Sequence, residues 1–347
     1  MSDDLFIGGE TVKKGERKQI NIPVAKLYDF TSMTIPVEVI RGKKAGPCMF
    51  VSAAIHGDEI NGVEILRRLL SRKYLNRIKG TLIVVPIVNV FGFNTKSRYL
   101  PDRRDLNRSF PGHEKGSLAS QLADTFMNEI VSKCTHGIDL HTGAIHRSNL
   151  PQIRACLDDP ETLEMAKSFN VPVVLHSALR DGSLREAVRE LNIPVVLFEG
   201  GEALRFNERA IKSGLQGIRS VMRNIGMLPK SKSATAAASP KTFIARSSYW
   251  VRSPHSGILN MKHFLGKHVK RGEILGHITN PCGDDKVPVK ARKGGIIIGA
   301  ATLPLVNEGD AVFHIAAFEA AEAVEESVGQ YHDSLLDDNG SGAEWRI

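Results

Sequence analysis

Residues 48–55 run Cys-Met-Phe-Val-Ser-Ala-Ala-Ile, almost wholly apolar, and stop at His56-Gly57-Asp58-Glu59. Such a run suits a strand covered on both faces. Similar runs recur at 81–88, 171–176 and 193–199, and 137–140 predicts a short strand ending at His141-Thr142-Gly143. Between them, apolar positions return at helical spacing over 61–75, 117–134, 160–169 and 184–191; Leu118, Leu122, Phe126 and Ile130 lie four apart. Segment 18–39 predicts strands leading to a turn at 43–46, and the stretch 89–112, rich in Arg, Asp, Asn, Pro and Gly, reads as a long loop. Strands alternating with helices predict an α/β fold, with a mixed, mostly parallel sheet flanked by helices.

The pattern changes after Met227. Residues 229–242 have the composition of a linker or loop. Short β runs with glycines follow, carrying a faint repeat: 251–259 echoes 289–297, and 269–278 echoes 306–315. Two β half-motifs predict a small all-β barrel-sandwich-like domain. The expected organisation is a β segment at 1–44, a catalytic domain at 45–228, the linker, the β domain at 243–317, and a helix with a loose tail at 318–347.

Composition narrows the classes. The 347 residues carry 46 Lys plus Arg against 38 Asp plus Glu, a formal charge of +8. That surplus can steer anions, although a solvated lysine-rich surface is the simpler account. Neither zinc-finger spacing nor a basic stripe with aromatics is present, so no nucleic-acid partner is expected. No apolar run approaches the roughly 18 residues of a membrane span. The first residues lack a basic start and an apolar core, so no secretory leader is expected. Cys48, Cys134, Cys156 and Cys282 are far apart and form no CxxC. They read as reduced, mostly buried thiols of a cytoplasmic protein.

Chemistry-bearing residues fall at predicted strand ends: His56 and Glu59 after the first, His141 after the third, Glu199 after the last. Sites of α/β sheets form beyond the carboxyl ends of strands. Two imidazoles and a carboxylate can hold Zn²⁺ and leave a position for an activated water. A second carboxylate can take a proton and return it to a leaving group. Asp139 either bonds the far nitrogen of a ligating ring or caps its own loop. HxxE alone is a weak signal, since a histidine at a strand end is commonly a packed or solvated ring. The joint placement at three strand ends carries the weight.

Over residues 45–201 the sequence resembles the succinylglutamate desuccinylase and aspartoacylase family, a branch of the zinc carboxypeptidase superfamily. The likeness lies in the order and spacing of His56-Gly57-Asp58-Glu59, Asp105-Leu106-Asn107-Arg108, Asp139-Leu140-His141-Thr142-Gly143 and Phe198-Glu199-Gly200. The resemblance implies one Zn²⁺ per subunit on His56, Glu59 and His141, with Glu199 as general base and then general acid. It implies that Asn107 and Arg108 hold a substrate carboxylate, for which a guanidinium fork is suited. Arg98 would stabilise the oxyanion, with Arg103 and Arg104 as rivals in the same loop; the duller account of all these arginines is a solvated loop with ion pairs. The implied reaction is hydrolysis of the amide of a small N-acyl amino acid, and relatives that deacetylate N-acetyl-diaminobutyrate belong to the same branch.

His146, Arg147 and Asn149 follow the predicted zinc loop and are candidates to shape the pocket, with a surface loop as the plainer account. The C-terminal half-motifs resemble the barrel-sandwich modules of biotinyl and lipoyl carriers. The attachment hairpin is missing, so Lys286 reads as an exposed turn lysine and the module as a cap over the site or an oligomer contact. No GxSxG or GxGxxG supports a serine hydrolase or a dinucleotide fold. Two rivals stay open: a zinc carboxypeptidase or amidase acting on short peptides, and a metal-containing binding protein. A homo-oligomer is also left open. A basic pocket would favour a dicarboxylic substrate and an acidic one a diamino substrate.

Overall fold

The computed structural model describes residues 4–230, 240–283 and 285–337. Most of the predicted 229–242 linker, and the tail beyond 337, lie outside the described residues. One large mixed sheet organises the molecule. Its centre is parallel: strand Lys44–Ala53 pairs with Lys79–Val85 on one side and with His136–Gly143 on the other, and His136–Gly143 pairs with Val195–Glu202. Antiparallel strands flank this centre: Ser32–Arg41 and Arg17–Lys26 on one edge, Arg147–Ala155 beside Val195–Glu202 on the other.

Strand alternation feeds two cores. Met49, Val51 and Ala53 point to one face with Leu82 and Val84, while Phe50, Ile83 and Val85 point to the other. The first face is covered by helices Asn61–Leu70, Pro160–Ser168 and Glu208–Asn224, which contribute Ile65, Leu66, Met165, Ile218 and Val221. The second is covered by Leu118–Glu129 and Leu184–Glu190, and Phe126 meets Phe50 edge-on at 5.9 Å. Each such ring or branched side chain contributes roughly 1.5–3 kcal/mol when fully buried. Strand His136–Gly143 is buried along its whole length, as a central parallel strand should be.

Two features depart from the sequence reading. The stretch 89–112 is not all loop: it holds helix Val90–Thr95, whose N-cap Asn89 side chain accepts from the Gly92 amide, and a 3-10 turn at Leu106–Arg108 capped by Asp105. The strand Arg147–Ala155 had no counterpart in the hydrophobic pattern, because its polar residues Asn149, Gln152 and Arg154 are buried or half-buried beside the site. The cysteines also differ in burial from the expectation. All four are free, but only Cys134 is buried; Cys48 and Cys156 are half-buried and Cys282 is exposed.

The repeat resolves into two units of four strands. The first is Ser247–Arg252, Gly257–Met261, His268–Val269 and Ile274–Thr279; the second is Lys286–Lys290, Gly295–Ala301, Leu305–Val306 and Ala311–Ala317. The first strand of each unit pairs with the last strand of the other. The second strand of each likewise pairs with the third of the other. Their apolar residues, among them Val251, Leu275, Val289, Phe313 and Ile315, close a core of their own. The module is joined to the large sheet, since Gly295–Ala301 pairs antiparallel with Arg147–Ala155. Helix Ala321–Asp337 lays Val324, Val328, Tyr331 and Leu335 onto this chain, and the Tyr331 hydroxyl meets Ser213 Oγ at 2.6 Å. Among the described residues no helix is long and apolar enough to cross a membrane.

Candidate metal centre and pocket

Strand Lys44–Ala53 ends in a sharp turn. Ala54 adopts a left-handed backbone (φ 52°), and Gly57 presses on helix Val90–Thr95 so closely that a Cβ there would lie 2.0 Å from the Gly92 carbonyl carbon. This turn aims His56 and Glu59 at His141, which leaves the neighbouring parallel strand. The Nδ1 of His56 lies 2.7 Å from Glu59 Oε1, and the Nδ1 of His141 lies 2.9 Å from Glu59 Oε2. The Thr142 amide donates to the same Oε2 at 3.0 Å.

The far nitrogens face carboxylates. His141 Nε2 lies 2.6 Å from Asp139 Oδ2, whose partner oxygen Oδ1 accepts from Ser52 Oγ at 2.8 Å, and His56 Nε2 lies 3.2 Å from Asp105 Oδ1. Carboxylates on the outer nitrogens orient imidazoles and raise their basicity as ligands. His56, Glu59 and His141 are all buried, and one ligand atom from each lies within 4.8 Å of the others. Two inward imidazole nitrogens, one carboxylate and outer carboxylates fit a single divalent metal.

The charges explain the local proton affinities. Burial would raise the Glu59 carboxyl, but the adjoining imidazoles outweigh it and hold the group well below its usual range. Burial opposes charge on His141, yet Asp139 and Glu59 push it well above its ordinary value. Asp105 is held low despite burial by His56 and Arg98.

Beside this floor opens a pocket of about 400 Å³, lined by His56, Glu59, His141, Glu199 and a set of arginines. Glu199 stands at a bulge in strand Val195–Glu202, where the register shifts and Gly201 takes a positive φ of 77°. Its Oε2 accepts from Asn149 Nδ2 at 2.5 Å, and its Oε1 lies 3.5 Å from Arg154 Nη1. Arg98 reaches Asp105 Oδ2 through Nη2 at 2.9 Å and comes within 3.5 Å of Glu59 Oε1. Arg103 and Arg104 are exposed and do not line the pocket. Asn107 and Arg108 both do, and Asn107 Oδ1 accepts from the Leu184 amide at 3.0 Å.

Arg147 and Asn149 also line the pocket; His146 does not. His146 is exposed, has φ 63°, and donates its backbone amide to Glu202. The residues missed by sequence reasoning are Arg154, Arg180 and Arg185 on the catalytic side and Trp250 and Arg252 from the β module. Asp105 was likewise given no role, although it carried a local signal as the first residue of the Asp-Leu-Asn-Arg motif. The Arg180 guanidinium has its pKa lowered first by burial and then by Arg108 and Arg154, and that of Arg185 is lowered first by burial and then by Arg154 and Arg180. This is the signature of crowded cations.

A buried His-Glu-His floor beyond the ends of parallel strands, with a carboxylate at its side, defines a metallohydrolase-like pocket. The family model that matches is the succinylglutamate desuccinylase/aspartoacylase catalytic domain, over residues 45–225. The chain belongs to that family. It is 28% identical over 303 residues to the N-alpha-acetyl-L-2,4-diaminobutyric acid deacetylase of Halomonas elongata, covering 82% of this chain and 86% of that one. The succinylglutamate desuccinylase of Pseudomonas aeruginosa shares 28% identity over 159 residues, 43% of this chain and 46% of that one. Among solved structures, the product-bound ectoine utilization protein EutE (DoeB) of Ruegeria pomeroyi superposes with a TM-score of 0.77 at 27% identity, covering 87% of this chain and 95% of that one. Family membership and the three-residue cluster together support hydrolase activity at this pocket.

Proposed function

We propose that the chain is a zinc-dependent deacylase that hydrolyses the amide of a small N-acyl amino acid. The observation that carries this reading is the placing of Glu199 and the His56–Glu59–His141 floor in one pocket. When bound, the metal supplies Lewis acidity and lowers the proton affinity of a coordinated water. His56, Glu59 and His141 would hold it. Glu199 takes the proton of the attacking water and delivers it to the departing nitrogen. The Asn149 amide holds one Glu199 oxygen, and the other lies beside Arg154 on the pocket wall. Arg98, tethered by Asp105, offers its guanidinium to charge developing on the carbonyl oxygen. Asn107 has its Oδ1 committed to Leu184, so its amide NH₂ is the group available, with Arg108, for a substrate carboxylate.

Two further features refine the substrate. Seven lining residues are arginines (Arg98, Arg108, Arg147, Arg154, Arg180, Arg185 and Arg252), against two lining carboxylates, Glu59 and Glu199. Such a pocket favours a substrate with more than one carboxylate over one bearing a free amine, by simple electrostatic complementarity. Trp250, Arg252 and Ala311 of the β module close one side, which suits a small molecule better than a peptide needing an open cleft.

The test is amine release from a panel of N-acetyl and N-succinyl amino acids and short peptides, on zinc-loaded protein. Turnover of an N-acyl aminodicarboxylate, abolished by chelation and restored by zinc, is expected. Turnover confined to peptides would overturn the reading in favour of a peptidase, and zinc binding without any turnover would favour a binding protein.

A further inference from the structure

The β module contributes an aromatic clamp to the pocket. Trp250, on strand Ser247–Arg252, stands opposite His314 on Ala311–Ala317, and their rings lie parallel, 4.5 Å apart with 7° between planes. His314 is buried, with its Nε2 2.9 Å from Ser248 Oγ and its Nδ1 without a partner. Burial, reinforced by Arg154 and Arg180, pushes its pKa down to about 3. The imidazole is therefore neutral at ordinary pH and backs the indole as a flat, uncharged plate.

The Arg147 guanidinium lies over the Trp250 ring, 5.2 Å from its centroid. The Arg147 backbone is fixed to the same module, paired with Ala301. Among the described residues its guanidinium has no carboxylate partner within ion-pair distance, although it lines a pocket that holds Glu199. An arginine attracted to an aromatic face keeps its N–H fork available for a carboxylate and is limited in the directions it can swing.

We infer that Arg147, seated on the Trp250–His314 stack, is a carboxylate subsite separate from Asn107–Arg108, and that it selects substrates carrying a second carboxylate. This rests on the deacylase reading of the pocket and assigns the β module a part in specificity. The stack acts by positioning: it touches the guanidinium, and the guanidinium touches the ligand.

The test is calorimetric binding of succinate and of propionate to the zinc-loaded chain. The two probes share one carboxylate and differ in the second. Arg147→Met is expected to weaken succinate by about tenfold, as for loss of one charge-assisted pair, and propionate by less than about twofold. Trp250→Leu is expected to weaken succinate less than Arg147→Met does, and Trp250→Phe to recover most of that loss because it restores an aromatic face. Equal changes for both acids, or no change for either, would overturn the subsite. Binding is read independently of turnover. A chain that prefers succinate through Arg147 yet releases no amine keeps the subsite and loses the deacylase reading. An active chain whose succinate affinity ignores Arg147 keeps the deacylase and loses the subsite.

Discussion

The floor of the pocket and its far wall are built in different ways. The floor comes from the ends of two adjacent parallel strands. His56 and Glu59 are joined by one short turn, and Asp139 and His141 sit two residues apart on a single strand. The wall comes from a β module that begins more than forty residues after Glu199, and it reaches the pocket only because Gly295–Ala301 extends the large sheet. On the proposed reading, floor residues act through fixed atoms on a metal and wall residues through shape and charge on the substrate, so that the floor would govern whether chemistry occurs and the wall on what.

The largest effects should come from the floor. Glu59→Ala or His141→Ala is expected to abolish metal binding and to lower kcat by more than about a thousandfold; metal analysis beside an activity assay checks this, and a variant that stays active without metal would separate the cluster from the chemistry. Glu199→Gln keeps the size of the side chain and the Asn149 contact but cannot accept a proton. Its kcat should fall by roughly 10²–10⁴, with metal content unchanged. Asp139→Asn leaves every ligand in place and weakens the outer partner of His141. About a 10–100-fold loss of metal affinity is expected, readable by competition with a chelator.

The smallest expected effect belongs to the wall and concerns pH. His314 is held neutral in the fold, with a pKa near 3 against 6.5 for the free side chain. Its folded value is depressed, so the unfolded chain takes up a proton first as pH falls. The native state loses stability from about pH 6.5 downward until pH nears 3. By pH 5 the loss at this residue is about 2 kcal/mol. Denaturant unfolding at pH 7.5 and pH 5 should show that difference shrinking in His314→Phe, which keeps the stack without the titrating group. An unchanged pH dependence would show that the imidazole does not titrate as its burial implies.

The same contrast explains what the sequence made legible. Buried parallel strands declare themselves as apolar runs, and a ligand at a strand end follows within a few residues, so His56, Glu59, His141 and Glu199 could be placed without coordinates. Asn107 and Arg108 were legible through a short motif, and the repeat disclosed the β module because its two units use the same turn spacing. Arg154 lies on a strand whose inward polar residues break the apolar pattern. Arg180 lies in a loop with no period, Arg185 is a charged position on a predicted helix that reads as solvated, and Trp250 reaches the pocket through long-range strand pairing. Such residues are assembled by topology, which one-dimensional spacing does not encode. His146 shows the converse: it is close to the motif in sequence, but its positive φ turns it out to solvent.

The most direct test of the central claim measures bound zinc and amine release on the same preparations of the unaltered chain and of Glu199→Gln, with one N-acyl aminodicarboxylate as substrate. The account predicts about one zinc per chain in both, release by the unaltered chain, and almost none by the variant. Equal release by both, or release that persists after the metal is removed, would contradict it.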